Sequence, residues 1–140
     1  MWCVRVTKYV LPVRVYLEDT DAQGVVYNAS YFRFMERART EWLRAQGVDH
    51  GQLLHEHGVI LVLASIEARF HAPAKLSDML YVSADVAEAR GARVRFAQQV
   101  LLNDPQGELI CEGLAEVACK DAERGRPRRL PSTLFSELNA

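Results

Sequence analysis

The chain has 140 residues, a length that suits one domain with a core that needs neither disulfides nor a structural metal. Hydrophobic residues make up 49% and charged residues 25%, which is ordinary globular usage and excludes disordered, collagen-like and coiled-coil classes. There are 17 Lys and Arg against 18 Asp and Glu, a net charge of −1, so bulk nucleic-acid binding is disfavoured.

Possible targeting segments and the cysteine content of the chain both bear on its cellular compartment. The longest apolar run, Val59 to Ala64, is far shorter than the roughly 18–20 residues of a membrane span. The first residues lack the apolar stretch of a signal peptide, so we expect a cytoplasmic protein. Its three cysteines are expected to be free, reduced and mostly buried. Cys111 and Cys119 fall in one predicted strand, too far apart to bridge each other.

The first part of the chain predicts a strand, a loop and one long helix. Val13, Val15 and Leu17 alternate with other residues, the period of a half-buried strand. Turn-forming residues follow at 19–24. Apolar residues then recur at steps of three or four, as on the buried face of a helix: Tyr31, Phe34, Met35, Ala38, Trp42 and Ala45. The charged residues between them are expected to be solvated or at an interface: Arg33, Glu36, Arg37 and Arg39.

The ends of this helix and the next element carry recognisable signals. Asn28 or Ser30 is a predicted N-cap, and Gly47 is a predicted stop. A shorter helix is expected from Asp49 to Gly58.

The rest of the chain reads as four strands. Val59–Phe70 is the second strand of the chain. Period-2 alternation marks the third and the fourth, at Leu80, Val82, Ala84 and Val86, and at Val94, Phe96 and Val100. The last strand has an inner set of alternating residues: Leu109, Cys111, Gly113, Ala115, Val117 and Cys119. Short turns are expected at 90–92 and 103–107, and a tail at 127–131 leads to a possible short C-terminal helix.

Tight turns between strands indicate antiparallel neighbours, and the long helix has only the sheet on which to bury its apolar face. We therefore expect an α+β fold in which a long central helix packs on a five-stranded antiparallel sheet. Such a sheet leaves edges and one face uncovered, so dimerisation, with further stacking, is the simplest way to cover them.

The stretch before the long helix is the candidate for chemistry. Glu18, Asp19 and Asp21 place three carboxylates within four residues, directly before a helix N-terminus. Unpaired N–H groups at that end favour an anion or a developing oxyanion. A carboxylate and an oxyanion site are the two groups that acyl transfer needs. The alternative from spacing alone is that Asp19 and Asp21 only form turns and cap backbone.

These residues also carry a family resemblance. The chain at 13–28, with E-D-T-D-A-Q-G-V-V-Y-N at 18–28, and E-R-A-R-T-E-W-L-R at 36–44 resemble the hotdog-fold acyl-CoA thioesterases. The group is that of 4-hydroxybenzoyl-CoA thioesterase and the Tol-Pal-associated acyl-CoA thioesterases. The match extends through 72–80, Arg90-Gly91 and the 127–131 tail, nearly the whole chain.

The resemblance implies one hotdog domain over residues 1–140 that hydrolyses acyl-CoA to a free acid and CoA. It implies no metal and no other cofactor. It also implies a homodimer or homotetramer in which the site lies at an interface and the partner's strands complete it. Two alternatives remain: a thioesterase that acts on acyl carrier protein, and a non-catalytic partner-binding module.

The resemblance also assigns residues. Asp21 corresponds to the catalytic carboxylate, as nucleophile through an anhydride or as general base, and both roles stay open. The backbone amides of Tyr27 and Asn28 correspond to the oxyanion site. Tol-Pal-associated members usually have His at position 28; Asn cannot shuttle a proton near neutral pH, which puts a His-assisted step in doubt. Gly24 and Tyr31 are expected to border the substrate.

CoA carries phosphates, which basic residues should meet. The hairpin residue Arg90 and Lys120, at the end of the last strand, are the predicted phosphate contacts. Their alternative is a solvated turn or strand end.

Overall fold

Within residues 8–131, the part of the chain that the computed structural model describes, five strands pair around one long helix. The strands are β1 (Lys8–Arg14), β2 (Val59–Phe70), β3 (Met79–Arg90), β4 (Arg93–Leu102) and β5 (Leu109–Asp121). The long helix is α1 (Asn28–Ala45), and a short helix, α2 (His50–Gln52), continues as a π-helical turn over Leu53–His57. Cys3, the first residues and the predicted C-terminal helix lie outside the described range.

The strands form a single antiparallel sheet in the order β1-β3-β4-β5-β2. Strand β2 does not pair with β3, which follows it in the chain. It pairs with β5 instead, and its register runs from Val59 opposite Asp121 to Phe70 opposite Cys111. The fold is therefore the predicted α+β arrangement, with β1 and β2 as its edges.

Helix α1 lies on the inner face of this sheet. Phe34, Met35 and Ala38 are wholly buried beneath it. On β5, a side chain at Gly113 would stand 3.1 Å from the Met35 sulfur and 3.1 Å from the Glu67 carbonyl oxygen. The missing Cβ at Gly113 thus lets the middle of the helix approach the sheet closely.

Two predicted boundaries near the site are wrong. Strand β1 ends at Arg14, and Leu17, predicted to face inward, is 75% exposed because the chain bends into a 3-10 turn over Leu17–Asp19. The N-cap of α1 is Tyr27, whose backbone is extended, and neither Asn28 nor Ser30 has that position.

The later boundaries follow the prediction closely. Gly47 and Gly58, expected to end α1 and the shorter helix, both have a positive φ, which glycine adopts without strain. Strand β2 has the predicted bounds, whereas β3 extends further than its alternating residues showed. Cys111 and Cys119 are free and buried, as expected. No helix in the described range is long and apolar enough to cross a membrane.

Candidate active site

The loop before α1 closes into a tight hairpin. A bridge pairs Thr20 with Val26, and the Asp21 N–H donates to the Val25 carbonyl at 2.9 Å. The Gly24 N–H returns to the Asp21 carbonyl at 3.0 Å, with Gly24 at φ 79, in the left-handed region that favours glycine. Asp21 therefore lies on an exposed, hydrogen-bonded loop that leads directly into the helix.

Only one oxygen of the Asp21 carboxylate accepts a hydrogen bond from its own loop. Its Oδ1 accepts the Gln23 N–H at 2.8 Å, an Asx turn that fixes the side chain. Among residues 8–131, nothing binds its Oδ2. The Asx turn therefore orients the side chain and leaves the other carboxylate oxygen without a partner in that range.

The first turn of α1 offers two backbone donors, and they are not quite the predicted pair. The Tyr27 N–H donates to the Asp19 carbonyl at 2.8 Å, and the Ser30 N–H donates to the Tyr27 carbonyl at 2.8 Å. Over the described range, the amides of Asn28 and Ala29 have no acceptor. The predicted Tyr27 amide is thus occupied, the Asn28 amide is open, and Ala29, which sequence reasoning missed, joins it. Helix polarity makes both attractive to an anion.

Asp19 has the structural, backbone-binding role that the residue spacing alone suggested for both Asp19 and Asp21. It is 5% exposed, and its Oδ2 accepts the Tyr16 N–H at 2.8 Å. Its Oδ1 lies 3.1 Å from an Arg33 guanidinium nitrogen. Arg33, expected to be solvated or at an interface, is 48% exposed and also holds this buried carboxylate.

Tyr31 packs into an aromatic cluster beneath the start of the helix. Its ring meets Phe34 edge-on at 6.2 Å and Phe70 at 5.8 Å, and Phe32 lies 6.4 Å from Phe70. Burial raises the pKa of Tyr31 to about 12, and a contact with the Ala74 backbone opposes this in part. Tyr31 is 3% exposed, whereas Phe70, which the sequence did not single out, is 46% exposed.

The predicted phosphate contacts lie at the far end of the sheet. Arg90 ends β3, and the next turn is tied to β5 because the Cys119 N–H donates to the Ala92 carbonyl at 2.7 Å. Lys120 follows at the same end. The Asp21 loop meets the segment that leads into the other end of β3, because the Val26 N–H donates to the Ala74 carbonyl five residues before Met79. The 12 residues of β3 would span about 36 Å if fully extended, so the two sites lie far apart along the strand. One chain does not bring Arg90 and Lys120 to Asp21.

Comparisons with known proteins agree with this fold. Residues 15–138 match the thioesterase-like superfamily. An acyl-CoA thioester hydrolase, YbgC, of Escherichia coli is 39% identical over 94% of this chain and 96% of its own. Among solved structures, a probable thioesterase from Bartonella henselae superposes with a TM-score of 0.80 at 32% identity, over 89% of this chain and 99% of that one.

A more distant structure shows the same fold. The 4-hydroxybenzoyl-CoA thioesterase of a Pseudomonas strain superposes with a TM-score of 0.85 at 21% identity, over 94% of this chain and 99% of that one. A helix laid on one antiparallel sheet, together with the superfamily match, defines the class. The chain belongs to the thioesterase-like superfamily, has its hotdog fold, and is a hydrolase of that class.

Proposed function

We propose that the protein hydrolyses acyl-CoA thioesters to a carboxylic acid and CoA. One observation carries the proposal: the exposed Asp21 carboxylate lies on a loop that leads directly into a helix whose Asn28 and Ala29 amides have no acceptor among the described residues. The similarity to YbgC of Escherichia coli, named an acyl-CoA thioester hydrolase, supports CoA as the carrier of the acyl group.

The proposed roles follow from charge. The thioester carbonyl oxygen gains negative charge as the carbon is attacked, and the Asn28 and Ala29 amides donate hydrogen bonds to it. Asp21 acts in one of two ways. As nucleophile, it forms an anhydride with the acyl group and expels the CoA thiolate, and water then opens the anhydride. As general base, it takes a proton from the water that attacks the carbonyl carbon, and the C–S bond then breaks to release the CoA thiolate. Gly24 borders the substrate, whereas Tyr31, predicted to do so too, is buried in this chain at 3% exposure.

The separation along β3 bears on the oligomer. If Arg90 and Lys120 bind the CoA phosphates, they must serve an Asp21 loop in another copy of the chain, because their own lies at the opposite end of the strand. We therefore infer a homodimer, alone or within a tetramer, in which one substrate touches two subunits.

We place this enzyme in the cytoplasm.

The test is a hydrolysis screen over short, long and aromatic acyl-CoAs. Asp21→Asn keeps the Asx turn but removes the charge, and should lower kcat by at least about 10³-fold on the best substrate. The chain contains a matched control. Asp104 makes the same turn between β4 and β5, accepting the Gln106 N–H at its Oδ1 and the Gly107 N–H at its carbonyl, both at 2.8 Å.

Asp104→Asn should therefore leave turnover unchanged while perturbing an equivalent local structure. Near-normal turnover by Asp21→Asn would overturn the mechanism. A wild-type protein that hydrolyses acyl carrier protein thioesters but no acyl-CoA would overturn the substrate, and one that cleaves neither would indicate a binding module.

A further inference from the structure

A buried carboxylate lies next to the proposed active site without belonging to it. Asp19 is 5% exposed, and both of its carboxylate oxygens are bound: one by Arg33 at 3.1 Å, the other by the Tyr16 N–H at 2.8 Å. Removing a carboxylate from water is costly unless it is paired and hydrogen-bonded. Arg33 is only half-buried, so its charge needs no such partner. Asp19 therefore needs the ion pair more than Arg33 does, and the purpose of the pair lies in the groups that Asp19 holds in place.

The contacts of Asp19 converge on the two ends of the Asp21 loop. Its carbonyl accepts the Tyr27 N–H at 2.8 Å and lies 3.3 Å from the Ser30 hydroxyl, which donates to it. The Arg33 guanidinium also donates to the Ser30 hydroxyl oxygen at 3.0 Å. Asp19, Ser30 and Arg33 thus form one connected cluster, which we term the clamp. It ties the residue before the loop to the first two turns of α1.

The loop itself does not depend on the clamp for its shape. The Thr20–Val26 bridge, the Asp21–Val25 hydrogen bond and the Asx turn all lie inside it. What the clamp adds is the orientation of this preformed hairpin relative to the helix.

We propose that Asp19 is a positioning residue, which acts through Arg33 and Ser30 to hold the Asp21 carboxylate in register with the open amides of α1. It touches no substrate. This inference rests on the proposed thioesterase function. Misplacing a reacting group by about 1 Å can cost on the order of 10²-fold in rate, so loss of the clamp should lower kcat well beyond any effect on stability.

The experiment is a double-mutant cycle on kcat with the best acyl-CoA found in the screen. Arg33→Met and Asp19→Asn should each lower kcat by about 10- to 100-fold with little change in KM. The double variant should be no slower than the worse single variant, because both break one clamp. Arg33→Lys should recover part of the loss. Arg44→Met is the matched control: Arg44 makes a similar ion pair, with Glu41 at 3.2 Å, in the last turn of the same helix.

Wild-type kcat in Arg33→Met, multiplicative losses in the double variant, or an equal loss in Arg44→Met would each overturn the proposal. Arg33 is half-buried, so its variant reports even where Asp19→Asn fails to fold. Amide hydrogen exchange gives a readout that needs no activity. Arg33→Met should speed exchange at Tyr16 and Tyr27 but not in the interior of α1; unchanged exchange there would overturn the clamp even if no acyl-CoA proved to be a substrate.

Discussion

The side-chain oxygen of Gln98 on β4 accepts a hydrogen bond from the Arg39 guanidinium of α1 at 2.8 Å, in the layer between helix and sheet. Gln98 is 1% exposed, and its amide nitrogen donates to the carbonyls of Met35 at 3.0 Å and Ser83 at 3.1 Å. One buried amide thus joins the middle of the helix to β3 and β4. Burial lowers the pKa of Arg39, and the nearby charge of Glu36 opposes this in part.

Replacing Gln98 with Leu should lower the free energy of unfolding by about 2–3 kcal/mol, because it leaves the Arg39 guanidinium without this acceptor and two carbonyls without this donor. Urea denaturation measures this. Gln99→Leu is the control: Gln99 is the next residue of β4, exposed on the opposite face, and binds Ser83 through its backbone alone. Equal effects of the two substitutions would contradict a role for the buried amide.

The backbone donor at position 28 can be removed without breaking the helix. Asn28 is the first helical residue, the position where proline is best tolerated, and Tyr27 before it already has φ −65 and ψ 136. Asn28→Pro should therefore fold normally, yet lower kcat by about 10²–10³-fold by removing one oxyanion donor. Stopped-flow or steady-state hydrolysis measures the loss.

Asn28→Ala separates the backbone from the side chain, because it keeps the N–H and removes the amide group. It should retain most of the wild-type kcat. Should Asn28→Pro keep full activity with an intact circular dichroism spectrum, the oxyanion site would lie elsewhere. A large loss in Asn28→Ala would instead assign a role to the side chain, which stands where the Tol-Pal-associated thioesterases usually have a histidine.

A site shared between subunits makes a complementation prediction. Asp21→Asn should be inactive, and Arg90→Ala with Lys120→Ala should lower kcat/KM by about 10²-fold through lost phosphate contacts. Co-expressed in equal amounts, the two variants should form mixed dimers with one intact site each, and so recover about a quarter of the wild-type activity. If phosphates and thioester are held by one chain, no mixed dimer has an intact site and the mixture stays inactive.

The helix and strands could be predicted because each element repeats a simple pattern over many residues. Phe34, Met35 and Ala38 mark the buried face of α1 by their spacing alone. The pairing of β2 with β5 could not be predicted in this way, because strand order depends on how the connection at 71–78 crosses the end of the sheet. The alternation of apolar residues along a strand shows which of its faces is buried, but not which strand lies beside it.

The candidate site divides along similar lines. The loop that carries Asp21 stands out by its composition, and the resemblance selected Asp21 from three nearby carboxylates. Which amides of the helix are open depends on a tertiary contact, the Asp19 carbonyl against Tyr27, which no local pattern encodes. Neither could the sequence place Arg90 at the opposite end of β3 from Asp21, since that requires the strand register.

The buried titratable groups near the helix predict an alkaline limit to stability. Burial raises the pKa of Cys111 from 9.0 to about 11 and that of Tyr31 from 10.0 to about 12. As pH rises through about 9 to 12, the unfolded chain therefore loses these protons first and binds fewer than the native state. The free energy of unfolding should be unaffected by them below about pH 9 and should fall above it.

Tyr31→Phe removes the phenol but keeps the ring, so its unfolding free energy, measured in urea at each pH, should fall less steeply between pH 10 and 12 than that of the wild type. Tyr9→Phe, which removes a phenol from the edge strand β1, serves as the comparison. Parallel pH dependences for wild type and Tyr31→Phe would mean that the phenol loses its proton equally easily in the folded and unfolded chain.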